Sequence, residues 1–127
     1  MKINVEAITA AIESSKARSA WSKGVKDFAI DLLENIRDLN GREVETRKEL
    51  EIALLNGARN WSEYSWGGCY LIYNGDIAER LCSPSELKRT RGGDRRPNSR
   101  EEWLDVQARA LHQAFYLICR AAEGGAL

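Results

Sequence analysis

Between Arg100 and Ala122, apolar side chains occupy two adjacent helical faces, with Trp103, Val106, Ala110, Ala114 and Leu117 beside Leu104, Ala108, Leu111, Phe115 and Ile118. One neighbour cannot cover so wide an arc, so this helix is expected to be central, with several others packed on it. Its start is well marked. Ser99 is placed to cap, and Glu101 and Glu102 sit where the helix dipole favours negative charge. At 127 residues, 43% of them hydrophobic, the chain suits one core rather than two. The expectation is a single all-α domain over residues 1–127, a compact bundle of about five or six helices around the C-terminal one, with a frayed tail over 123–127.

The other helices follow from three- and four-residue spacing. Ile8, Ala11 and Ile12 form one face of a short helix after Asn4. Trp21, Val25, Phe28, Leu32, Ile36 and Leu39 line a longer one that stops at Asn40-Gly41, and Gly24 inside it marks a break or a close helix crossing. A third helix is expected from about Val44 to Leu55, with Asn56-Gly57 as its stop. The aromatic segment that follows, with Trp61, Trp66, Tyr70 and Tyr73 around Gly67-Gly68, is less regular. Cys69 to Tyr73 reads as a short strand or a buried helical turn, and no second strand candidate favours a sheet. Core packing is the expected role of these rings; stacking on bases is the alternative if they are exposed. Asp76 to Leu81 reads as a short helix. Ser83-Pro84-Ser85-Glu86 then has the form of a capping box with proline at the first helical position, and predicts a further helix from Pro84 to about Thr90.

Charge narrows the search for function. Residues 1–60 hold ten cations and ten anions, and residues 61–127 nine of each, so no general affinity for polyanions is expected. The balance fails locally. From Lys88 to Arg100 there are six cations, Lys88, Arg89, Arg91, Arg95, Arg96 and Arg100, against the single anion Asp94. This basic loop, residues 88–99 with Arg100 at its end, is the candidate site. Clustered arginine suits bidentate binding of carboxylate or phosphate, on a protein or a nucleoprotein complex. The plain alternative is a solvated connection whose arginines pair with Glu101, Glu102 and Asp105, worth about 0 to 1 kcal/mol each.

Catalytic and metal chemistry find little support. His112 and Cys119 share a helix face but lie two turns apart, about 10.5 Å along the axis, too far for a nucleophile and its base. Cys69, Cys82, His112 and Cys119 supply metal-ligand types without a recognised spacing, and the acids at the start of the last helix are accounted for by its dipole. No nucleotide-binding glycine loop is present. The expectation is a non-enzymatic protein without cofactor or metal. Three widely spaced cysteines fit a reducing cytoplasm, and no signal peptide or membrane-crossing run is seen.

Two resemblances follow from these residues. Ala78-Glu79-Arg80-Leu81, Ser83-Pro84-Ser85-Glu86-Leu87-Lys88-Arg89 and Gly93-Asp94-Arg95-Arg96-Pro97 resemble the second half of the phage-repressor-type helix-turn-helix family, although Cys82 alone fills the turn. That resemblance implies a DNA-binding transcriptional regulator in which Ser85, Glu86, Lys88 and Arg89 face a major groove and Arg95 and Arg96 touch phosphate. More broadly, the segment from Trp61 to Leu111, with its Tyr-Ser-Trp-Gly-Gly-Cys and Arg-Arg-Pro-Asn-Ser-Arg-Glu-Glu-Trp-Leu-Asp runs, looks like small uncharacterised proteins of phage-related and conjugative elements of gut bacteria. Such elements carry anti-CRISPR and anti-restriction inhibitors, which implies a stoichiometric binding protein, with an inhibitor of a host-defence nuclease complex as its most specific form.

Overall fold

The computed structural model describes residues 1–66, 79–93 and 95–124, with side chains left undescribed over 58–66. Helices α1 (Val5–Glu13), α2 (Ala20–Asn35) and α3 (Arg47–Trp66) pack around the last helix, α4 (Arg100–Ala122). The central position expected for α4 is observed, because it touches all three of the others. Val106, Ala110, Ala114 and Ile118 are fully buried on it, while Ala108 is exposed and Leu111, Phe115 and Leu117 are half-buried. Apart from Ile118, the second expected face is therefore only partly covered.

Local signals account for most helix starts. Asn4 caps α1 by accepting from the Ala7 N–H, Ser19 caps α2 from Ser22, and Ser99 caps α4 from Glu102. Helix α2 gives way to a 3-10 turn, Arg37–Leu39, that ends at Asn40-Gly41 as expected. Gly24 does not break α2. A Cβ there would stand 2.8 Å from Leu81 Cδ2, so Gly24 is the close crossing point between α2 and the helical residues 79–81. The Arg80–Asp27 ion pair fastens the same contact.

Two expectations of helix length fail. The stop at Asn56-Gly57 is overridden, and α3 continues through it to Trp66. Gly57 serves space instead of termination, since a Cβ there would lie 3.1 Å from Ile36 Cγ2. The helix expected over Pro84–Thr90 is not formed. Pro84–Glu86 makes one 3-10 turn, and the chain then extends as β1 (Leu87–Arg89), pairing antiparallel with β2 (Arg95–Pro97). The described chain is thus mostly helical with a two-stranded sheet, and not strictly all-α. The reason lies in burial. Leu87 is the one apolar residue between Ser85 and Thr90, so a helix there would have no stripe to bury, and short helices without tertiary packing are marginal.

At the other end, the first residues pair with the segment before α3. The Val44 N–H donates to the Met1 carbonyl at 2.8 Å, the Ile3 N–H to Arg42 at 2.9 Å and the Gly41 N–H to Ile3 at 2.7 Å. Ile3 and Val44 thereby join the core, which is one continuous cluster of buried residues.

Candidate functional site

The basic segment is a hairpin built onto the start of α4. Leu87 pairs with Pro97, Lys88 with Arg96 and Arg89 with Arg95. Thr90 accepts from the Gly93 N–H at 3.0 Å to close the turn, and Gly93 takes a φ of 87°, a conformation that favours glycine. Arg91 lies in this turn and Arg100 is the first residue of α4. All six cations named from the sequence are exposed.

Strand pairing places charges in a way that a loop would not. Partners in an antiparallel pair stand side by side on one face, with Cβ atoms about 5 Å apart. Lys88 and Arg96 therefore share one face, and Arg89 and Arg95 share the other, beyond Leu87 and Pro97. Two of the three register pairs are cation against cation. Like charges directly opposite are destabilising unless an anion stands beside them.

Hydrogen bonds close its base. The Glu86 carboxylate accepts from the Ser83 backbone N–H at 2.8 Å and from the Ser83 hydroxyl at 2.9 Å, and these bonds, the backbone one first, hold its carboxyl below the usual glutamate range. The Asn98 N–H donates to the Glu86 carbonyl, and the Asn98 amide donates to the Ser85 carbonyl at 2.7 Å, across the mouth of the hairpin. Glu86 also meets Arg109 of α4 at 3.5 Å. Arg109 lies 5.6 Å from the centre of the Trp21 ring, and the Trp21 indole donates to Gln113 at 2.8 Å. A chain of contacts thus joins the hairpin to both α2 and α4. Asp105, one of the acids expected to pair with the loop, lies 3.6 Å from Arg109 instead.

Concave surfaces flank the hairpin. One, of about 190 Å³, is lined by Pro84, Leu87, Lys88, Arg89 and Arg95. The other, of about 380 Å³, lies toward α4, with Lys88, Arg96 and Arg100 around Pro97 and Trp103. Asn98 and Trp103 read in the sequence only as a helix start and its first core residue, and Pro97 as that start and as the end of the helix-turn-helix resemblance. Their place beside the cations depends on the return of β2 and carries no sequence signal of its own.

The recognition helix implied by the helix-turn-helix resemblance is replaced by this turn and strand, so Ser85, Glu86, Lys88 and Arg89 are not arrayed on one helix face. Elsewhere, His112 and Cys119 line a groove of about 420 Å³ between α3 and α4, beside Ile52, Leu55, Phe115 and Tyr116. Burial raises the Cys119 thiol above its ordinary range, and burial followed by the charge of Glu86 pushes Cys82 up to about 11, so neither is an activated nucleophile. No group of three metal-ligating side chains comes together among the described residues, and no described helix is long and apolar enough to cross a membrane. Cys69, Tyr70 and Tyr73 fall outside the described residues; Trp61, Tyr64 and Trp66 lie on α3. No protein-family model, curated protein or solved structure matches the chain.

Proposed function

We propose that this is a non-enzymatic interaction protein that presents its cationic hairpin to the acidic or phosphate-bearing face of a protein or nucleoprotein partner. The observation that carries the reading is the register: Lys88 opposite Arg96 and Arg89 opposite Arg95 on a ribbon whose base meets Arg109 of α4. Arg91 and Arg100 extend the same surface at the turn and at the base. The sequence resemblance to mobile-element proteins makes an inhibitor of a host nuclease complex, such as an anti-CRISPR or anti-restriction protein, the most specific form of this reading.

Capture from a bacterial lysate tests it, with the wild-type chain and an Arg91→Ala/Arg95→Ala/Arg96→Ala variant as baits, each with and without nuclease treatment. A partner held by the wild type and lost from the folded variant is expected. Identical captured sets would sink the reading.

A DNA-binding regulator is the second reading, carried by the hairpin in place of a recognition helix. A two-stranded ribbon is narrow enough for a major groove about 12 Å wide. Anisotropy of a labelled duplex would then show affinity that falls with salt and with Lys88→Ala/Arg89→Ala.

A further inference from the structure

The two edges of the hairpin differ in what they leave open. In an antiparallel pair, residues that exchange hydrogen bonds with their partner alternate with residues whose backbone groups face away. The Asn98 N–H donates to the Glu86 carbonyl at 3.0 Å, which sets Glu86–Asn98 and, two residues on, Lys88–Arg96 as bonded pairs. Leu87 and Arg89 on β1, and Arg95 and Pro97 on β2, therefore turn their backbone groups outward. On β2, Pro97 has no N–H to offer, the strand touches α4, and Arg95 and Arg96 already have interactions of their own. On β1, the Leu87 N–H is held by the Pro84 carbonyl, which leaves the Leu87 carbonyl and both the N–H and the carbonyl of Arg89 along the edge. Lys88 and Arg89 are exposed and take part in no ion pair among the described residues.

We propose that this edge of β1 takes an extended acidic segment of a protein partner as a third, antiparallel strand, with one carboxylate opposite Lys88, a second opposite Arg89 and an apolar side chain opposite Leu87. The proposal rests on the reading of the hairpin as an anion-binding surface and names the partner's chemistry. Strand addition draws affinity from main-chain hydrogen bonds and specificity from alternate side chains. Here the Arg89 N–H and carbonyl and the Leu87 carbonyl supply those bonds. Leu87 and Arg89 share one face, and the depression of about 190 Å³ lined by them and by Pro84 receives the apolar side chain. Charge selects the occupant. Cations on an edge strand guard it against strands of the same kind, so a second copy of β1 is repelled, whereas an acidic strand is drawn in. Phosphates of a nucleic acid would use the cations alone, with no N–H for the two edge carbonyls.

Titration of the full chain at low salt with a blocked peptide, Thr-Glu-Glu-Val-Thr, tests this, read by calorimetry and by amide hydrogen exchange. Saturating peptide should slow exchange of the Arg89 amide about tenfold and leave the Arg95 amide unchanged. N-methylation of the first glutamate, whose N–H meets the Arg89 carbonyl, should weaken binding about fivefold, the loss of one hydrogen bond. Lys88→Gln/Arg89→Gln should weaken it about tenfold, whereas Lys16→Gln/Lys48→Gln, equal in charge lost, should leave it as in the wild type. Equal binding by the methylated peptide, or an unprotected Arg89 amide, would reduce the edge to a plain cationic surface and overturn the proposal. So would no binding, or protection of the Arg89 amide by oligo(dT) as strong as by the peptide. Partner capture is read independently: a lysate partner lost from the Arg91/Arg95/Arg96 variant, beside a peptide that fails, would reject this proposal and keep the proposed function.

Discussion

Two stretches of this chain open with nearly the same signal and end differently. Ser83-Pro-Ser-Glu86 and Ser99-Arg-Glu-Glu102 each place a serine three residues before a glutamate, yet the second begins a 23-residue helix and the first a single 3-10 turn followed by a strand. Both signals are obeyed locally, since Glu86 closes on Ser83 and Ser99 accepts from Glu102. The difference lies downstream. After Ser99 come Trp103, Val106, Ala110, Ala114 and Ile118, all buried, and after Ser83 comes only the half-buried Leu87. A cap starts a helix, whereas burial of a stripe sustains it.

The contrast can be broken most severely inside α4. Ile118→Ala should cost about 3 kcal/mol in denaturant unfolding, as expected for a large side chain removed from a closed core, while Leu87→Ala should cost about 1 kcal/mol. Equal losses would mean that the hairpin is held as firmly as the helix. Gln107 sharpens the point from the opposite side. It is 1% exposed and neither its Oε1 nor its Nε2 has a hydrogen-bond partner among the described residues, so Gln107→Leu should raise stability by about 1 to 2 kcal/mol in the same assay.

The caps themselves come next. Ser99→Ala should cost about 1 kcal/mol and reduce the circular dichroism of the helices on warming, whereas Ser83→Ala should leave helix content unchanged, having no helix to lose. On the hairpin, Arg89→Glu turns a like-charge pair with Arg95 into an opposite pair. It should slow exchange of the strand amides by an amount corresponding to about 0.2 to 1 kcal/mol, and faster exchange would contradict the repulsion argued from the register.

The smallest effect concerns pH. Hydrogen bonds from the Ser83 backbone and hydroxyl hold the Glu86 carboxyl below its ordinary value of about 4.3. A depressed carboxyl contributes stability above its unfolded value and loses it as pH falls through the folded one. NMR titration should therefore find the Glu86 midpoint below that of a free glutamate, with the base of the hairpin loosening only under acid. The effect should vanish in Glu86→Gln.

Residue spacing made much of the fold legible. Asn4, Ser19 and Ser99 act through side-chain oxygens on N–H groups a few residues away, and the start of α4 and its central place follow from its own stripe. The candidate cations were equally plain, because charge is counted along the chain. Glycine was ambiguous, since the same Asn-Gly pair ends a turn at Gly41 and is passed over at Gly57, where Ile36 stands 3.1 Å from where a Cβ would lie. That distance is set by the residue that ends α2, far from Gly57 along the chain.

By itself, then, the sequence determined the core helices, their caps and the +5 charge of residues 88–100, all consequences of neighbours within a turn or two. Only the tertiary structure decided that those charges stand in facing pairs on a ribbon, that Pro97 and Trp103 lie beside them, and that Arg109 ties the ribbon to Trp21. Strand pairing and helix packing join residues whose separation along the chain carries no periodic signal. A segment with one apolar side chain takes the backbone partners that the rest of the fold brings to it.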